Sequence, residues 1–414
     1  MSMQKEIALI QDLAKRYSEI AFQDENRERR ERCRKVNDLI PQRPPVWIDE
    51  IPWNEMDIEG KLKLQCTDPF LQEMETFFRR NLYRYEYIKA DTVFPEYYPI
   101  EKSYTSSGIG ISITEETIAT DQENNIVSHH YIDQLDTEEK LEKLHNPVIT
   151  PHPEQDAENQ AKASEILKDI LPVKLKGTTI YHAPWDDISM LRGVEPIFFD
   201  MMDRPEFIHQ TIQKFMEMAL SKMEQLEKYN LLDPEPNALH CTPPYSNDLP
   251  KQSDPSEPTP LKNVWFRAMA QMFSTISPAM FDEFELEYEV PLAKKCGLTY
   301  YGCCEPLDNF IPLLKKRIPN LRKLGVSPWA DITKCAQEIG SDYVYARKPN
   351  PAMVAGFLDP DAIRKEISDT IKVCLEYNCP YEFVLKDIST VGHNPKNLIL
   401  WNQIVQETID EYYK

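Results

Sequence analysis

The sequence predicts an α/β protein built on a parallel sheet, and most simply a (β/α)₈ barrel. In the second half of the 414-residue chain, short β-prone runs alternate with amphipathic helices, and no hairpin turn separates one run from the next. Eight strand–helix units that close on themselves also account for the length of the chain. The hydrophobic fraction of 41% is enough for the core that such a fold needs.

A helical extension at residues 1–40 precedes the predicted barrel, which spans residues 41–414. Apolar side chains recur at three- and four-residue steps along residues 7–20 and form one stripe, which predicts a helix over residues 5–40. The stretch after this stripe mixes both charge signs, which is typical of a solvated helix face. Pro41 ends the predicted helix.

Seven segments predict strands because they are short, β-prone and followed by turn or helix-start residues. They are residues 46–48, 178–182, 238–241, 298–303, 321–326, 343–346 and 381–385. Helix starts are predicted where an aspartate precedes a helical pattern, at Asp68, Asp331 and Asp359. The strands alternate with these helices, so we expect their carboxyl ends to form one mouth.

One connection is unusually long and rich in proline. Residues 241–262 contain six prolines and little apolar content. A loop of this length inside a compact domain is usually a lid or a binding loop. We expect it to fold over the same face of the barrel as Cys303 and Cys304, with a surface insertion as the alternative.

Charge and cysteine content narrow the class of function. The net charge is −21, from 68 acidic and 47 basic side chains, which disfavours binding to nucleic acid or to an anionic membrane. The chain has no run of about 18 apolar residues and its N-terminus has no apolar signal-peptide core. Its nine cysteines are an odd number spread along a large chain, so we expect reduced thiols and a cytoplasmic protein.

The strongest candidate site is the sequence YYGCCEP at residues 300–306. Cys303, Cys304 and Glu305 stand where a strand hands over to a helix, and that end of a strand carries active sites in alternating β/α chains. The preceding glycine permits a close backbone approach, and Glu305 offers a hard ligand or a base. The alternative is that one thiol packs in the core and the other turns outward.

Further candidates stand at other predicted strand ends. Arg347 and Lys348 can grip a carboxylate or a phenolate, with internal salt bridges as the alternative. Lys386 and Asp387 predict an acid/base pair. Trp329 predicts either a flat wall for an apolar or aromatic substrate, or a packing residue.

Four of these strand ends together resemble the uroporphyrinogen decarboxylase superfamily. The resemblance is closest to its bacterial decarboxylase-like members, which include corrinoid-dependent methyltransferases. The motifs are YGCCEPL at 301–307, SPWAD at 327–331, RKPNP at 347–351 and LKDI at 385–388. The resemblance covers residues 40–412 and implies a (β/α)₈ barrel with its site at the C-terminal mouth.

Two chemistries occur in that superfamily. Its decarboxylases hold a tetrapyrrole with arginines just after the first barrel strand. Here that strand is followed by Asp49 and Glu50, and no arginine occurs before Arg79. Porphyrin decarboxylation is therefore not expected.

The methyltransferases of the superfamily bind zinc through a His-x-Cys pair and a cysteine near the last strand. Here Tyr301 stands at the position of the histidine, and Lys386 and Asp387 stand at that of the last cysteine. The ligand set is thus altered. Candidate metal ligands in its place are Cys303, Cys304, Glu305 and a histidine from another strand end, His240 or His182.

The resemblance implies methyl transfer: demethylation of a small methylated compound, with the methyl group passed to a corrinoid protein. No segment resembles a cobalamin-binding module, so the corrinoid would come on a partner. Glu305, Lys386 and Asp387 would be catalytic, and His182 and Tyr301 would complete the substrate site. Two alternatives stay open. One is a decarboxylase or lyase of a small carboxylic acid with a metal-free cysteine pair, and the other is a non-catalytic barrel that binds a ligand.

Overall fold

The computed structural model describes residues 2–119, 127–251, 254 and 257–413 and shows an α/β protein. The strands are β1 Val46–Ile48, β2 Tyr98–Glu101, β3 Tyr104–Ser106, β4 Glu115–Ala119, β5 Val127–Tyr131, β6 Ile149–Pro151, β7 Val173–Lys176, β8 Ile180–His182, β9 Trp265–Ala268, β10 Leu298–Tyr301, β11 Leu321–Val326, β12 Val344–Arg347 and β13 Tyr381–Leu385. The helices are α1 Met3–Ala21, α2 Asp24–Asn37, α3 Pro69–Tyr83, α4 Glu138–Leu141, α5 Pro153–Leu167, α6 Pro184–Arg192, α7 Val194–Asp203, α8 Pro205–Lys228, α9 Pro278–Phe281, α10 Glu287–Ala293, α11 Ile311–Arg317, α12 Ile332–Ile339, α13 Ala352–Ala355, α14 Pro360–Glu376 and α15 Lys396–Tyr412. Short 3₁₀ turns occur at Trp53–Glu55, Leu261–Asn263 and Gln271–Thr275, and π-helical turns at Arg84–Ile88 and Asp282–Leu286.

Seven strands form one large parallel sheet. Their order is β1-β13-β12-β11-β10-β9-β8, and every neighbouring pair is parallel. The strands β9, β10, β12 and β13 are buried along their whole length, as expected when helices cover both faces of a parallel sheet. Parallel strands place all their carboxyl ends at one edge, so residues that follow them meet there.

Contacts between strands that are not neighbours show that this sheet is curled. Lys323 Nζ on β11 lies 2.7 Å from Glu382 Oε1 on β13, although β12 separates the two strands. Three strand spacings separate β10 from β13, about 14 Å in a flat sheet, yet Lys386 after β13 contacts Cys303 after β10 at 2.9 Å. The sheet is therefore a half-barrel, consistent with a TIM-like barrel.

The predicted closure by eight strands is not formed by regular pairing in the described residues, where no ladder joins β1 to β8. The free edge of β1 is covered by Asp91, whose backbone N–H donates to the Val46 carbonyl at 2.8 Å and whose carboxylate accepts the Val46 N–H at 2.8 Å. Beyond β8, an isolated bridge joins Thr178 to Leu232. Irregular backbone thus continues the sheet at both edges.

In the large sheet, one predicted strand is wrong and one strand was not predicted; the strands β2 to β7 of the three small sheets were not predicted either. Residues 238–241 form no strand, because His240 and Cys241 have φ of 34° and 74° and make a tight turn closed by a bridge between Leu239 and Thr242. The strand in this part of the sheet is β9, which follows the proline-rich segment.

Only Cys241, the first residue of the proline-rich segment, stands at the mouth, and the described residues after it run away from the mouth, so the predicted lid is wrong there. Asn37, at the end of α2, donates its side-chain amide to the Pro243 carbonyl at 3.0 Å. Asp248 accepts from Arg322 at the beginning of β11, at 2.7 Å. The segment thus runs towards the amino-terminal edge of the sheet, opposite the mouth. Its residues 252, 253, 255 and 256, which include Pro255, lie outside the described residues.

The predicted helix starts at Asp68, Asp331 and Asp359 are confirmed. Each carboxylate accepts backbone N–H groups in the first turn of α3, α12 and α14 respectively. The predicted helix over residues 5–40 is two helices, α1 and α2. Asn26 ends the first one, because its side-chain amide donates to the Ala21 carbonyl at 2.7 Å.

Two large apolar cores lie in the described chain, beside three smaller apolar clusters. The larger one surrounds the seven-stranded sheet. The smaller one is formed mainly by α1, α3 and α5 and by the separate parallel pair of β2 and β7. The predicted boundary at residue 40 stays a prediction, since α1 shares its core with elements on the other side of that boundary. No helix among the described residues has the length and apolarity to cross a membrane.

Candidate functional site

Four chain segments meet at the carboxyl edge of the large sheet. Glu50 follows β1, Cys303 and Cys304 follow β10, and Lys386 and Asp387 follow β13. The fourth segment is the tight turn that precedes the proline-rich segment. We call Cys303, Cys304, Lys386 and Asp387 the thiol site.

A glycine with positive φ turns the chain out of β10 so that both thiols stand at the mouth. Gly302 has φ +96°, and a Cβ atom there would lie 2.3 Å from Leu307 Cδ1, so any other residue at this position would be strained and would displace Leu307. Glu305 holds the turn from within, because its Oε2 accepts the Cys303 N–H at 2.8 Å and its Oε1 accepts the Ala270 N–H at 3.4 Å. Burial, followed by the charge of Cys303, raises the pKa of Glu305. Glu305 is thus tied to backbone.

The Cys303 sulfur is buried in surroundings that favour its thiolate form. It is 1% exposed and accepts a hydrogen bond from Lys386 Nζ at 2.9 Å. The hydrogen bond from the neighbouring Cys304 thiol lowers the pKa of Cys303 most. The charge of Lys348 lowers it further, and together these effects outweigh burial, which raises it. A thiolate is the nucleophilic and metal-binding form of cysteine.

The surroundings of Cys304 favour its protonated form. It is partly exposed above Cys303, with the two sulfurs 3.7 Å apart, and its thiol donates to Asp387 Oδ2 at 2.7 Å. The hydrogen bond to Cys303, with burial, raises the pKa of Cys304. The single S–H proton of Cys304 has two acceptors within reach, Asp387 Oδ2 and Cys303 Sγ, and the different environments of the two sulfurs drive their pKa values apart.

Lys386 links the sulfurs to the acids of the mouth. Its Nζ lies 3.2 Å from Asp387 Oδ1 and 3.8 Å from Glu50 Oε2. Burial lowers the pKa of Lys386, but the charges of Cys303 and Cys241 raise it by more. The side chain is consequently a permanent ammonium at neutral pH.

Two more buried cations surround Cys303. Lys348 is 2% exposed and donates to the Gly302 carbonyl at 3.3 Å. Arg267, on β9, is fully buried with its guanidinium 4.0 Å from the centre of the Tyr300 ring. Among the described residues its Nε and Nη2 have no hydrogen-bond partner. Sequence reasoning missed Arg267 because it missed β9, where the single charge in the run WFRA was the available signal.

Two predicted substrate-binding residues lie beneath the mouth and pair with buried acids. The Tyr301 hydroxyl donates to Glu285 Oε1 at 2.7 Å, and the ring is fully buried. His182 Nδ1 lies 2.7 Å from Glu289 Oε2. Both side chains are committed to these contacts and not to the thiol site.

The predicted pair Arg347 and Lys348 is divided. Arg347 points away from Cys303, with Nη2 at 2.9 Å from Glu366 Oε1 and Nη1 donating to the Ser327 carbonyl at 2.5 Å. Trp329 is 69% exposed at the rim, so it does not form a wall of a closed site.

The predicted metal ligands do not all come together. Glu305 uses its oxygens for backbone N–H groups, and Cys303 is engaged by Lys386. The group of His, Cys, Asp or Glu ligand atoms that lie within 4.8 Å of one another in the described chain is instead Glu50, His240 and Cys241. We call these three residues the Glu50 cluster.

A cavity of about 690 Å³ lies behind β8, and a second one, of about 630 Å³, opens directly beside Glu50. The second cavity is lined by Trp53, by Arg79 and Arg80 from α3, and by apolar side chains such as Ile388. Arg80 lies 5.1 Å over the Trp53 ring and has no ion-pair partner in the part of the chain that the structure describes. A free cation beside a flat ring suits an anionic, planar ligand.

No family model and no curated protein matches the chain. In structure it is similar to a methyltransferase from Methanosarcina mazei, with a TM-score of 0.48 and 13% sequence identity, over 93% of this chain and 99% of that chain. Similarity at this level does not indicate which reaction, if any, this chain catalyses.

Proposed function

We propose that this protein is a methyltransferase that demethylates a small methylated compound and passes the methyl group to a corrinoid protein. The observation that carries the proposal is the sulfur pair, a buried Cys303 thiolate held by Lys386 at 2.9 Å beside the protonated thiol of Cys304. A soft, desolvated thiolate suits attack on a methyl carbon, and the neighbouring proton suits the leaving group.

The proposed step is an in-line displacement. A bond forms between Cys303 Sγ and the methyl carbon, and the bond from that carbon to the substrate heteroatom breaks. The heteroatom leaves with the electron pair and takes the proton of Cys304, while Lys386 stabilises the charge that develops on it. Cys304 covers Cys303, so its side chain must turn aside for the substrate to reach the thiolate.

The cavity beside Glu50 supports the choice of substrate class. Trp53 offers a flat apolar wall and Arg80 a free guanidinium, which together suit a methyl ether or methylamine that carries an aromatic ring and a carboxylate. The net charge of −21 agrees with a small substrate held by local cations and disfavours a polyanion.

The proposed acceptor of the methyl group is a corrinoid on a separate protein. A corrinoid would supply a strongly nucleophilic acceptor for a methyl group. In that transfer the bond between Cys303 Sγ and the methyl carbon would break, and the electron pair would return to the sulfur and restore the thiolate. Trp329 and Phe357, which follow β11 and β12, are 69% and 94% exposed, and exposed aromatic side chains are typical of a protein-docking rim. Docking at this rim would bring the acceptor to the mouth.

Zinc at Cys303, Cys304 and Glu305 does not fit the residues as they stand. The Lys386 ammonium donates a hydrogen bond to the Cys303 sulfur, and both oxygens of Glu305 accept hydrogen bonds from backbone N–H groups. A metal at these residues therefore has no part in the proposed step.

The test is demethylation under anaerobic, reducing conditions. Methoxybenzoates and N-methylated amino acids, labelled in the methyl group, are incubated with the protein, with and without reduced cobalamin as acceptor. We expect the demethylated product in both cases. Without acceptor, the label appears in the Cys303 peptide in at most one equivalent, as S-methylcysteine read by mass spectrometry.

Matched variants separate the roles. Cys303→Ser should lower turnover by about 100-fold or more, whereas Cys335→Ser, a buried cysteine on α12, should leave it unchanged. Demethylation that persists in Cys303→Ser would contradict the role of the sulfur. No demethylation of any labelled compound by the wild-type protein would contradict methyl transfer itself.

A second candidate is decarboxylation of a small carboxylic acid. It is favoured by the unpartnered Nε and Nη2 of the buried Arg267, which can receive an enolate-like charge near Cys303. Release of labelled CO₂ from carboxyl-labelled substrates, without loss of methyl groups, would support it in place of methyl transfer.

A further inference from the structure

Three side chains with different donor atoms stand beside the thiol site and have no part in the proposed methyl transfer. Ligand atoms of Glu50, His240 and Cys241 lie within 4.8 Å of one another. Cys241 and Glu50 are 191 positions apart in sequence, so only the fold brings them together. His240 and Cys241 are the two central residues of the turn between Leu239 and Thr242.

Each of the three residues has a backbone conformation that non-glycine residues avoid. The φ angle is 50° at Glu50, 34° at His240 and 74° at Cys241. Asp387 also has a positive φ, of 55°. Eleven non-glycine residues of the described chain have positive φ, and four of them stand at this mouth. A turn with positive φ at both central positions normally holds Asn-Gly, and here it holds an imidazole and a thiol. Strain of this kind gathers where the fold must aim particular side chains.

Hydrogen bonds already aim the donor atoms at one point. The Cys241 thiol donates to Glu50 Oε1 at 3.2 Å. The other oxygen, Oε2, accepts the Asp387 N–H at 2.8 Å, which fixes the carboxylate plane. Outer contacts of this kind orient metal ligands in known sites.

We infer that Glu50, His240 and Cys241 form a Zn²⁺ site with three protein ligands and one open position. Imidazole nitrogen, thiolate sulfur and carboxylate oxygen are the three donor types that this borderline ion takes in proteins. On binding, the S–H bond of Cys241 breaks, a bond between zinc and sulfur forms, and the proton leaves to solvent. The ion takes the place that the thiol proton holds between Cys241 and Glu50.

The open position makes this a catalytic type of site and not a closed structural one. Glu50 also lines the 630 Å³ cavity, so an ion bound to it lies at the cavity wall. Water or a substrate oxygen can complete the coordination from there. The role expected of the ion is to polarise a substrate oxygen. The inference does not depend on methyl transfer, because metal binding can be measured without turnover.

The Glu50 cluster is also electrostatically better placed for a cation than Cys303 is. Cys303 is surrounded by the buried charges of Lys386, Lys348 and Arg267, which repel a metal ion. The Glu50 cluster also faces two of these cations, since Lys386 Nζ lies 3.8 Å from Glu50 Oε2 and Arg267 lies near enough to interact with Cys241. Here, however, the carboxylates of Glu50 and of Asp387, whose Oδ1 lies 3.2 Å from Lys386 Nζ, offset the positive charge.

The test is metal binding by the full-length protein, purified without a histidine tag, stripped with a chelator and titrated anaerobically with Zn²⁺ or Co²⁺. We expect one ion per chain by elemental mass spectrometry, and a thiolate-to-cobalt charge-transfer band for Co²⁺. Cys241→Ser should abolish the band, and Glu50→Gln and His240→Asn should each weaken binding about tenfold or more.

Controls match each variant in residue type. Glu59→Gln changes an exposed glutamate that also has positive φ, at 55°, and Cys296→Ser changes another buried thiol. Both should bind one ion, as should Cys303→Ser. Loss of the ion in Cys303→Ser with retention in Cys241→Ser would overturn the assignment, as would failure of the wild-type protein to bind Zn²⁺ or Co²⁺. Glu50 is exposed, so its variant decides the matter even if Cys241→Ser does not fold.

Discussion

Replacing Lys386 by methionine removes the ammonium from the thiol site and keeps the side-chain length. With Lys386 Nζ at 2.9 Å from Cys303 Sγ, Coulomb's law gives about 6 kcal/mol at an effective dielectric constant of about 20. Cys303 can respond by taking up a proton, which recovers part of this energy. We therefore expect a loss of about 3 kcal/mol in the free energy of unfolding, the lower end for a broken buried ion pair.

The assay is urea denaturation at neutral pH with a reductant, on the wild type, Lys386→Met, Cys303→Ser and the double variant. In the double-mutant cycle the two substitutions should couple by about 2 kcal/mol, because each single variant leaves the other partner uncompensated. Thiolate absorbance in the far ultraviolet, taken as the difference from Cys303→Ser, should also fall at neutral pH in Lys386→Met. Lys316→Met, in the exposed last turn of α11, is the control and should change neither quantity.

Additive free energies in that cycle would refute the reasoning. So would an unchanged thiolate signal in a folded Lys386→Met protein. Either result would mean that Lys386 does not hold Cys303 in its charged form.

Three further predictions concern stability. The hydrogen bond from Cys304 lowers the pKa of Cys303 in the folded protein. The stability that ionised Cys303 contributes is therefore fully present above the ordinary thiol pKa of about 8.5 and is lost as pH falls. The difference in the free energy of unfolding between the wild type and Cys303→Ser should thus increase with pH up to that value. Gly302→Ala should cost about 2 kcal/mol in urea denaturation, because φ is +96° and the new Cβ would lie 2.3 Å from Leu307 Cδ1. Asp331→Ala should cost about 1 kcal/mol, because the carboxylate caps α12 through two backbone N–H groups at 3.0 Å.

Each of these has a control within the chain. A wild-type advantage over Cys303→Ser that shrinks as pH rises would contradict the sign of the pKa shift. Gly60→Ala has positive φ but open space around the new Cβ, so it should cost about 1 kcal/mol, and an equal cost at Gly302 would argue against the contact. Asp342→Ala, at an exposed aspartate outside any helix, should be nearly neutral, and a matching loss there would argue against capping.

Local features of the fold were predictable from the sequence because they depend on residues a few positions apart. The caps at Asp68 and Asp331 follow from an aspartate placed before a helical pattern, and both are present. The approach of Cys303, Cys304 and Lys386 to one mouth follows from the strand ends at which they stand.

Features that depend on residues far apart in the sequence were harder to predict. The stretch 238–241 has the composition of a strand, but its chain must turn tightly to bring Cys241 to Glu50, and the strand forms later, at β9. Arg347 stands at a strand end like Lys348, yet Glu366 from α14 draws it away from the mouth. Composition does not reveal such a partner.

The first strand illustrates the same limit. The sequence places no arginine between it and Arg79, which argued against a tetrapyrrole substrate held by its carboxylates. Helix α3 nevertheless folds back beside the strand, and Arg79 and Arg80 line the same cavity as Glu50. Residues that are far apart in the sequence can thus lie close together in the folded protein.

The sequence by itself determined which side chains emerge at the carboxyl edge of the sheet, because strand and helix periodicity is local. Only the tertiary structure decided which of them meet. The curl of the sheet brings Lys386 to Cys303 across two intervening strands, and the turn at His240 and Cys241 faces Glu50. These pairings depend on the curvature of the whole sheet, and that curvature is set by packing over hundreds of residues.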